Sequence, residues 1–324
     1  MSPIPGLRRR SALRLAVLLA LAPAGVAQSA PKTRTLAPHA SPVVSLFYAN
    51  KGKSLVTASA KGEFKVWDPR KGREIGGYTE SLQVNGATLC DDKHIVFVAG
   101  STIGAIDAKK GKFKGSVAFV PDKTRSVCFV PKYRYVFIAY PDGLLRRMPD
   151  GLASSADEWG TGASTITAMA AHPKGEVLVG GTEKGTLLFM DATQLELEKE
   201  IDAHPGSVTA LAIDPKGKLV FSAGEDKSVR IFDLEKREEL ARFDLEHPVH
   251  SLAVTAKGDR LAAGDAQGGV HVWGTKQRKL LGSYASTTKL PVRAMAFDPK
   301  GRELALAGLG NDVTCLDVSG WKAK

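Results

Sequence analysis

The sequence predicts an all-β fold in which one unit of about 40 residues is repeated seven times around a ring, and three observations predict it. Similar segments end at residues 68, 107, 150, 191, 233, 274 and 317, so successive ends are 39 to 43 residues apart. Each unit contains short β-type runs, such as VTALAI, KLVFSA and SVRIFD, separated by turn residues. The segment before the first unit resembles the segments before later units, so both chain ends can contribute to one unit.

Each unit has room for four short strands. Asp-Pro-Lys-Gly or Ala-Lys-Gly recurs between the first two runs, as at residues 214–217 and 256–258. Proline and aspartate favour a turn there, and glycine takes the positive φ that such turns need. The third run ends in a hydrophobic residue and Asp, except at Pro149-Asp150 and Trp273-Gly274. With a fourth run after it, each unit is a four-stranded antiparallel blade, and the whole is a seven-bladed β-propeller.

The last unit needs a strand from elsewhere in the chain. Only VSGWKAK follows Asp317, which is too short for a fourth strand. The segment KTRTLAPH, before the first unit, resembles LEKEIDAH and LARFDLEH, which precede later units. We therefore expect residues near Thr33–Ala37 to form the outer strand of the seventh blade. Closing the ring in this way removes a free sheet edge that would invite unwanted pairing.

These units resemble the WD-repeat β-propeller family, whose blades end their third strand in Trp-Asp. Trp67-Asp68 has the full dipeptide, and units such as Phe232-Asp233 keep a hydrophobic residue before the aspartate. The resemblance covers about residues 33–320, and the start of the chain indicates an exported bacterial type. It implies a rigid platform whose central channel mouth carries partner contacts.

The first 27 residues have the features of a secretory signal peptide. A basic start is followed by an apolar run from Leu15 to Ala27 and by small residues near Ala27. The run is shorter than the roughly 20 residues that a membrane-spanning helix needs. We therefore expect cleavage after Ala27, a propeller domain over residues 28–324 without a transmembrane segment, and a periplasmic or secreted protein. The arginines at residues 8–10 leave the Sec and twin-arginine routes open.

Charge and cysteine content set further expectations. The formal net charge of +11 falls to +7 without residues 1–27, because that segment has four arginines and no acidic residue. The three cysteines match no zinc-binding spacing, and we expect buried free thiols. An oxidising compartment leaves one disulfide open: Cys90, Cys128 and Cys315 are the candidates.

One stretch of the fifth unit contains the residue types of a nucleophilic hydrolase triad. Residues 204–233 include His204, Ser222 and Asp226. In WD-repeat blades, residues at these positions form a buried hydrogen-bond network with a tryptophan as the fourth member. Phe232 stands at the tryptophan position and has no polar hydrogen to donate. Because no Gly-x-Ser-x-Gly elbow is present, the resemblance implies a structural network here.

Two other units have parts of the same network. The first unit has three members, with Lys61 at the aspartate position: His39, Thr57 and Trp67. The sixth unit has two members, with Ala263 and Gln267 at the remaining positions: His247 and Trp273. No unit has all four members, so we expect the network to differ from blade to blade.

Alignment of the units places one residue of each first strand near the mouth of the central channel. These residues are Val44, Asn85, Arg125, Thr167, Thr209, His250 and Arg293. Acidic residues near the next turn add to this set: Asp142, Glu183 and Glu225. Cations, acids and hydroxyls together suit a polar peptide or protein loop, and arginine is frequent at the energetic centres of interfaces. A solvated rim without a dedicated partner is the alternative.

The opposite face is predicted to carry a ring of lysines. Every turn between a first and a second strand has one: Lys51, Lys93, Lys132, Lys174, Lys216, Lys257 and Lys300. Such a ring could attract an anionic membrane surface or envelope polymer in a salt-dependent way. The alternative is a set of ordinary solvated turns. Nucleic acid is not expected, because no aromatic residues interleave the lysines for base stacking.

The sequence favours binding over catalysis. It contains no His-Glu-x-x-His, no phosphate-cradling glycine loop and no Cys-x-x-Cys. We therefore expect no catalytic, cofactor-binding or metal-binding residues, and an exported, rigid protein-interaction platform. The alternatives are a lactonase or hydrolase with a site on the channel axis, and a binder of anionic polymer or lipid through the lysine ring.

Overall fold

Each unit of the sequence folds as an antiparallel meander, so every sheet has four strands. The computed structural model describes residues 30–118, 124–130, 132–149, 157–160, 164–308 and 310–321. No helix occurs among these residues. The first strands of the seven sheets lie next to one another in a closed ring, with β26 of the last sheet beside β2 of the first. The prediction of a seven-bladed propeller with four-stranded blades is confirmed.

The 28 strands have the following bounds, after β1 (Thr33–Leu36). Blade I consists of β2 (Val43–Ala49), β3 (Ser54–Ser59), β4 (Glu63–Asp68) and β5 (Arg73–Thr79). Blade II consists of β6 (Val84–Leu89), β7 (His94–Ala99), β8 (Thr102–Asp107) and β9 (Phe113–Ala118). Blade III consists of β10 (Ser126–Val130), β11 (Tyr135–Ala139), β12 (Leu144–Pro149) and β13 (Asp157–Gly160).

The remaining blades follow the same order. Blade IV consists of β14 (Ile166–Ala171), β15 (Val177–Thr182), β16 (Thr186–Asp191) and β17 (Leu197–Asp202). Blade V consists of β18 (Val208–Ile213), β19 (Leu219–Gly224), β20 (Ser228–Asp233) and β21 (Glu238–Asp244). Blade VI consists of β22 (Val249–Val254), β23 (Arg260–Asp265), β24 (Gly269–Gly274) and β25 (Lys279–Ala285). Blade VII combines β26 (Val292–Phe297), β27 (Glu303–Gly308) and β28 (Val313–Asp317) with β1.

The predicted closure by the N-terminal strand is confirmed. Strand β1 pairs antiparallel with β28 over four residues, from Thr33 opposite Leu316 to Leu36 opposite Val313. The backbone N–H of Asp317 donates to the carbonyl of Lys32 at 2.9 Å, which extends the pairing by one residue. Blade VII is therefore held by both ends of the described chain. The predicted signal segment, residues 1–27, and the unit end at Asp150 lie outside the described residues.

The core lies between neighbouring blades. All six residues of β3 are buried, whereas β17, an outer strand, is almost wholly exposed. Blades I and II meet through Phe64 and Phe97, whose ring centroids are 4.8 Å apart. Because each blade buries both of its faces against its two neighbours, the central strands are apolar on both sides. The blades therefore support one another around the ring.

The turns between first and second strands touch their neighbours on one face of the ring, which we call the turn face. The turn glycines have positive φ as predicted, for example 68° at Gly217 and 71° at Gly258. A Cβ on Gly217 would lie 1.9 Å from Nε2 of His172 in the preceding turn, so only glycine fits there. The opposite face carries the turns between second and third strands and the connections between blades. We call it the mouth face. The described part of the chain contains no helix long and apolar enough to cross a membrane.

Candidate functional site

Three side chains of blade V form a linear hydrogen-bonded network. His204 precedes β18, and its Nε2 lies 2.8 Å from Ser222 Oγ while its Nδ1 lies 2.8 Å from Asp226 Oδ1. An ionised carboxylate can only accept, so in the neutral imidazole Nδ1 carries the hydrogen and Nε2 accepts from the Ser222 hydroxyl. This is the atom-to-atom order of a hydrolase triad.

Burial separates this network from any substrate. Ser222 is 0% exposed and His204 is 4% exposed, whereas a nucleophile has to reach the reacting carbonyl. Burial alone would raise the pKa of Asp226, but bonds from His204 and Ser228 outweigh it and hold that pKa well below its usual range. Arg230 closes the outer side, with Nη2 3.3 Å from Asp226 Oδ2. The arrangement joins the segment before β18 to β19 and to the turn before β20.

Blade I forms the same kind of network, and one of its members, Glu63, was not predicted from the sequence. Nε2 of His39 lies 2.7 Å from Thr57 Oγ1, and the Trp67 indole N–H donates to the same oxygen at 2.9 Å. Lys61 stands at the aspartate position, but Glu63, two residues later, places Oε2 3.0 Å from His39 Nδ1. Burial lowers the pKa of His39 despite the attraction of the Glu63 carboxylate. The longer Glu63 side chain therefore supplies the carboxylate that Asp226 supplies in blade V.

Blade VI lacks the network, and a different side chain fills its space. In blade V, a Cβ on Gly224 would lie 2.7 Å from Nδ1 of His204. The corresponding residue of blade VI is Asp265, which is 4% exposed and accepts a hydrogen bond from the Gly269 N–H at 2.7 Å. His247 is consequently only half-buried, unlike the histidines of blades I and V.

An open cleft of about 1180 Å³ lies beside His247, between blades V and VI. Five of its lining side chains are aromatic: Phe243, His247, His271, Trp273 and Tyr284. The rings of Phe243 and Trp273 are stacked with centroids 5.0 Å apart, and His271 stacks on Trp273 at 5.8 Å. The sequence analysis did not find this cleft, because its lining comes from four strands of two blades.

The predicted channel-mouth residues share a backbone feature. In six blades, the pairing between the first and second strands shifts at this residue, which marks a β-bulge. The six bulged residues are Val44, Asn85, Thr167, Thr209, His250 and Arg293. Arg125 lies directly before β10 of blade III. A bulge re-aims the side chain that it carries, so these residues leave the regular strand pattern at one level of the ring.

Three residues at the mouth affect one another electrostatically: His250, Arg293 and Glu225. Burial lowers the pKa of His250, the nearby Arg293 lowers it further, and Glu225 opposes both effects. Arg293 and Glu225 are exposed, while His250 is half-buried. The structure therefore brings a cation, an acid and an imidazole together at the mouth beside blades V, VI and VII. Arg125, Asp142 and Glu183 are also exposed on this face, and Asn85 is half-buried.

The two threonines at the mouth join neighbouring blades. The hydroxyl of Thr167 in blade IV lies 2.5 Å from the carbonyl oxygen of Val208 in blade V. The hydroxyl of Thr209 in turn contacts the carbonyl of Val249 in blade VI. Ser251 continues the series by donating to Val292 O of blade VII at 2.8 Å. These hydroxyls hold the inner strands of neighbouring blades together. A partner at the mouth would compete for the same hydroxyl groups.

The lysine ring has the placement that the sequence predicted. All seven lysines lie in turns between first and second strands, on the turn face, and all are exposed: Lys51, Lys93, Lys132, Lys174, Lys216, Lys257 and Lys300. The turns after the third strands add further cations on the same face, among them Lys276. One of these, Arg237, is paired with Glu198 at 2.7 Å. A second cavity, of about 500 Å³, lies on this face between blades VI and VII.

The three cysteines are buried, as expected from the sequence, and no disulfide joins them: Cys90, Cys128 and Cys315. Burial raises the pKa of Cys128 and of Cys315 to about 12, which keeps both thiols protonated. Within the described ranges, no group of three or more His, Cys, Asp or Glu side chains is arranged to hold a metal ion.

Comparison with known families finds two matching segments. Residues 31–68 and 195–233 match the WD domain, G-beta repeat family (WD40). The first match includes β1 to the end of β4, and the second includes β17 to the end of β20. Each match therefore begins with the outer strand of one blade and continues into the next. The sequence repeat and the blade are thus offset by one strand. The same offset places β1 in blade VII, where it closes the ring. The two segments also contain the hydrogen-bonded histidine networks of blades I and V.

Several curated proteins are similar to the chain. Periodic tryptophan protein 2 homolog of Dictyostelium discoideum is 24% identical over 321 residues, which cover 82% of this chain and 35% of that protein. Pre-mRNA-processing factor 19 of Bos taurus is 28% identical over 234 residues, 71% of this chain and 44% of that protein. Eukaryotic translation initiation factor 3 subunit I of Anopheles gambiae is 24% identical over 163 residues, 45% and 48% of the two chains. The chain spans less than half the length of each of these relatives.

Proposed function

We propose that this protein is a non-catalytic, exported WD-repeat platform that binds a protein partner at its channel mouth. The observation that carries the proposal is the row of six β-bulges around the channel, each at the residue that faces the mouth in the alignment of the units. Bulges occur where a strand has to aim a side chain out of its regular pattern, often beside functional sites. The same row in six blades places five polar or charged side chains, together with Val44, at one level of the ring.

The chemistry of that rim supports a protein partner. Arg125 and Arg293 are exposed cations on blades III and VII, and Glu183 and Glu225 are exposed acids on blades IV and V. Cations and acids spread over one rim can pair with charges of both signs on a polar loop. Arginine in particular binds carboxylates through two parallel hydrogen bonds.

The similar proteins support an assembly role without naming a partner for this chain. One relative is named as a subunit of a translation initiation factor, and another, from Mus musculus, as Telomerase protein component 1. Both names describe parts of larger assemblies. By analogy, we place this propeller among proteins that act by holding other proteins.

Export is a further part of the proposal. It rests on residues 1–27, with their arginines, their apolar run and the small residues at its end. A periplasmic or secreted location would place the partner in the cell envelope or outside the cell.

The hydrolase alternative gains no support from the blade V network. Ser222 is fully buried, and its hydroxyl is committed to His204. An enzyme of this fold would need a separate set of ionisable groups on the channel axis. The grouping of His250, Glu225 and Arg293 is the place to look for one.

The test is a crosslinking capture from envelope extracts with residues 28–324. The variant Arg125→Ala, Arg293→Ala removes two exposed cations at the mouth, and Lys93→Ala, Lys216→Ala removes two exposed cations from the turn face as the matched control. We expect one partner that the unchanged protein and the control both capture and the mouth variant loses. Equal capture by both variants would contradict binding at the mouth. Turnover of an ester or lactone that depends on His250 would favour the enzyme alternative.

A further inference from the structure

A cavity lies on the turn face, away from the channel mouth. The cavity of about 500 Å³ between blades VI and VII is bordered by turns of both blades. Three of its lining residues are exposed lysines: Lys257, Lys276 and Lys300. We propose that this cavity binds a small multivalent anion that carries phosphate or carboxylate groups.

The turn of blade VI that borders the cavity lacks the proline found in the turns of blades V and VII. Blades V and VII have Pro215 and Pro299 at the second turn position, whereas blade VI has Ala256. A Cβ on Gly258 would lie 3.3 Å from Pro215 Cδ, so that proline ring fills the space between turns V and VI. Pro299 fills the junction between blades VII and I in the same way, because a Cβ on Gly52 would lie 2.7 Å from Pro299 Cδ. At the junction of blades VI and VII, a Cβ on Gly301 would instead lie 2.5 Å from Nη2 of Arg260 and 3.2 Å from Cγ2 of Thr255, while Ala256 lines the cavity.

The lining is strongly cationic. It includes the side chains of three lysines and Arg260, and one carboxylate, Asp259. Asp259 accepts a hydrogen bond from the Thr255 hydroxyl at 2.5 Å. In the part of the chain that the structure describes, none of the three lysines forms an ion pair with a carboxylate; Lys65 is the lysine that does. Three ammonium groups are thus available to one ligand.

Arg260 gives the cavity lining a positive charge whose position is fixed by hydrogen bonds. Its guanidinium donates to the carbonyl oxygens of Val318 at 3.1 Å and Trp321 at 3.2 Å, and it also contacts the Gly301 carbonyl. It stacks over the Phe297 ring, with the guanidinium carbon 5.4 Å from the ring centroid. Carbonyl oxygens satisfy donors without cancelling the charge, so the cation keeps its full field. Arg260 therefore supplies a positive charge of fixed position beside the three exposed lysines.

Size and charge together define the ligand class. The cavity lies in the range of about 300–1,000 Å³ that is typical of small-molecule sites. A lysine ammonium is a compact point charge that binds phosphate or carboxylate oxygens without a fixed fork geometry. Several such charges around one cavity favour an anion with several negative groups over a singly charged one. Pyrophosphate and citrate are suitable probes for the two oxygen chemistries.

The test is calorimetric titration of residues 28–324 with pyrophosphate and, separately, with citrate. The variant Lys257→Gln, Lys276→Gln, Lys300→Gln removes the cavity lysines. The variant Lys51→Gln, Lys174→Gln, Lys216→Gln removes three lysines from the same face with the same change in net charge. We expect the first variant to bind at least about 10-fold more weakly, since a hydrogen bond to a charged group contributes at least that much. The second should bind within about 2-fold of the unchanged protein, since exposed charges away from a site contribute little.

A substitution that keeps every lysine tests the cavity itself. Ala256→Pro should add ring atoms to the lining of the cavity, and the backbone N–H of Ala256 makes no hydrogen bond among the described residues. We expect pyrophosphate binding to weaken about 10-fold, with an unchanged thermal midpoint. Equal weakening in both lysine variants, retained binding in Ala256→Pro, or no saturable binding of either probe would overturn the proposal. A free anion and the end of an anionic chain are distinguished by repeating the titration with polyphosphate, which should compete with pyrophosphate for one site. The Arg125→Ala, Arg293→Ala variant should bind both probes normally, so failure here is separable from failure at the mouth.

Discussion

Replacing Leu36 by alanine tests whether β1 closes the ring. Leu36 is 2% exposed and packs with Val43 and Trp67 of blade I and Val313 of blade VII. Truncation of a buried leucine to alanine costs about 2–5 kcal/mol, through lost transfer free energy and the remaining cavity. Domains have about 5–15 kcal/mol of stability in total, so this loss is a large share. We expect the thermal midpoint to fall by roughly 2–4 °C for each kcal/mol lost.

The assay is urea unfolding followed by tryptophan fluorescence and by far-ultraviolet circular dichroism. Leu197→Ala is the matched control, because Leu197 begins the outer strand β17 of blade IV and is 39% exposed. That control should stay within about 0.5 kcal/mol of the unchanged protein. Deletion of residues 28–37 should destabilise at least as much as Leu36→Ala, since it also removes the Arg34–Glu303 ion pair of 2.9 Å. A Leu36→Ala midpoint equal to that of Leu197→Ala would refute the closure argument.

Three further outcomes follow from the buried networks. Thr57→Ala should cost about 2–4 kcal/mol in urea unfolding, because His39 and Trp67 both lose their buried partner; Thr57→Ser should recover most of that loss, and a cost below 0.5 kcal/mol would contradict the network. Ser222→Ala should lower stability in the same assay and leave any ester hydrolysis unchanged, whereas loss of a measurable activity would show that Ser222 is a nucleophile. Since the pKa of His39 is lowered by folding, the unfolded chain binds more protons below the ordinary histidine pKa. Stability should therefore fall as the pH drops from about 6.5 towards the folded pKa, and a His39→Gln variant should show a smaller slope in a pH series of thermal midpoints.

Repetition is the reason that so much of the fold could be predicted. Seven units with similar turns determine the number of blades, and the likeness between the segment at Thr33 and the later outer strands determines the closure. The alignment also selected the bulged residue in six first strands, although a bulge has no sequence signal of its own here. Position in a repeat carries over from blade to blade, so one well-formed unit informs the others.

Residue identity at a position did not carry over in the same way. Lys61 occupies the aspartate position of blade I, yet Glu63 completes the network from two residues further along. Thr167 and Thr209 were aligned with charged mouth residues, but their hydroxyls bond to the next blade. Both outcomes depend on side-chain reach across the fold, which spacing in the sequence does not measure. The two cavities were missed for a related reason, because each is formed by residues of two blades.

Blade VI departs from the repeat on both faces, and a cavity lies beside each departure. On the mouth side, Asp265 takes the space of the network histidine, and the cleft of about 1180 Å³ lies between this blade and blade V. On the turn face, Ala256 takes the place of proline, and the cavity of about 500 Å³ lies between this blade and blade VII. A repeat protein can give up a bracing residue in one unit because the neighbouring units still hold the ring. Departures from a local rule without an evident structural gain are the expected marks of function. Small-molecule ligands of this propeller, as distinct from a protein partner at the mouth, should therefore be sought on the two sides of blade VI.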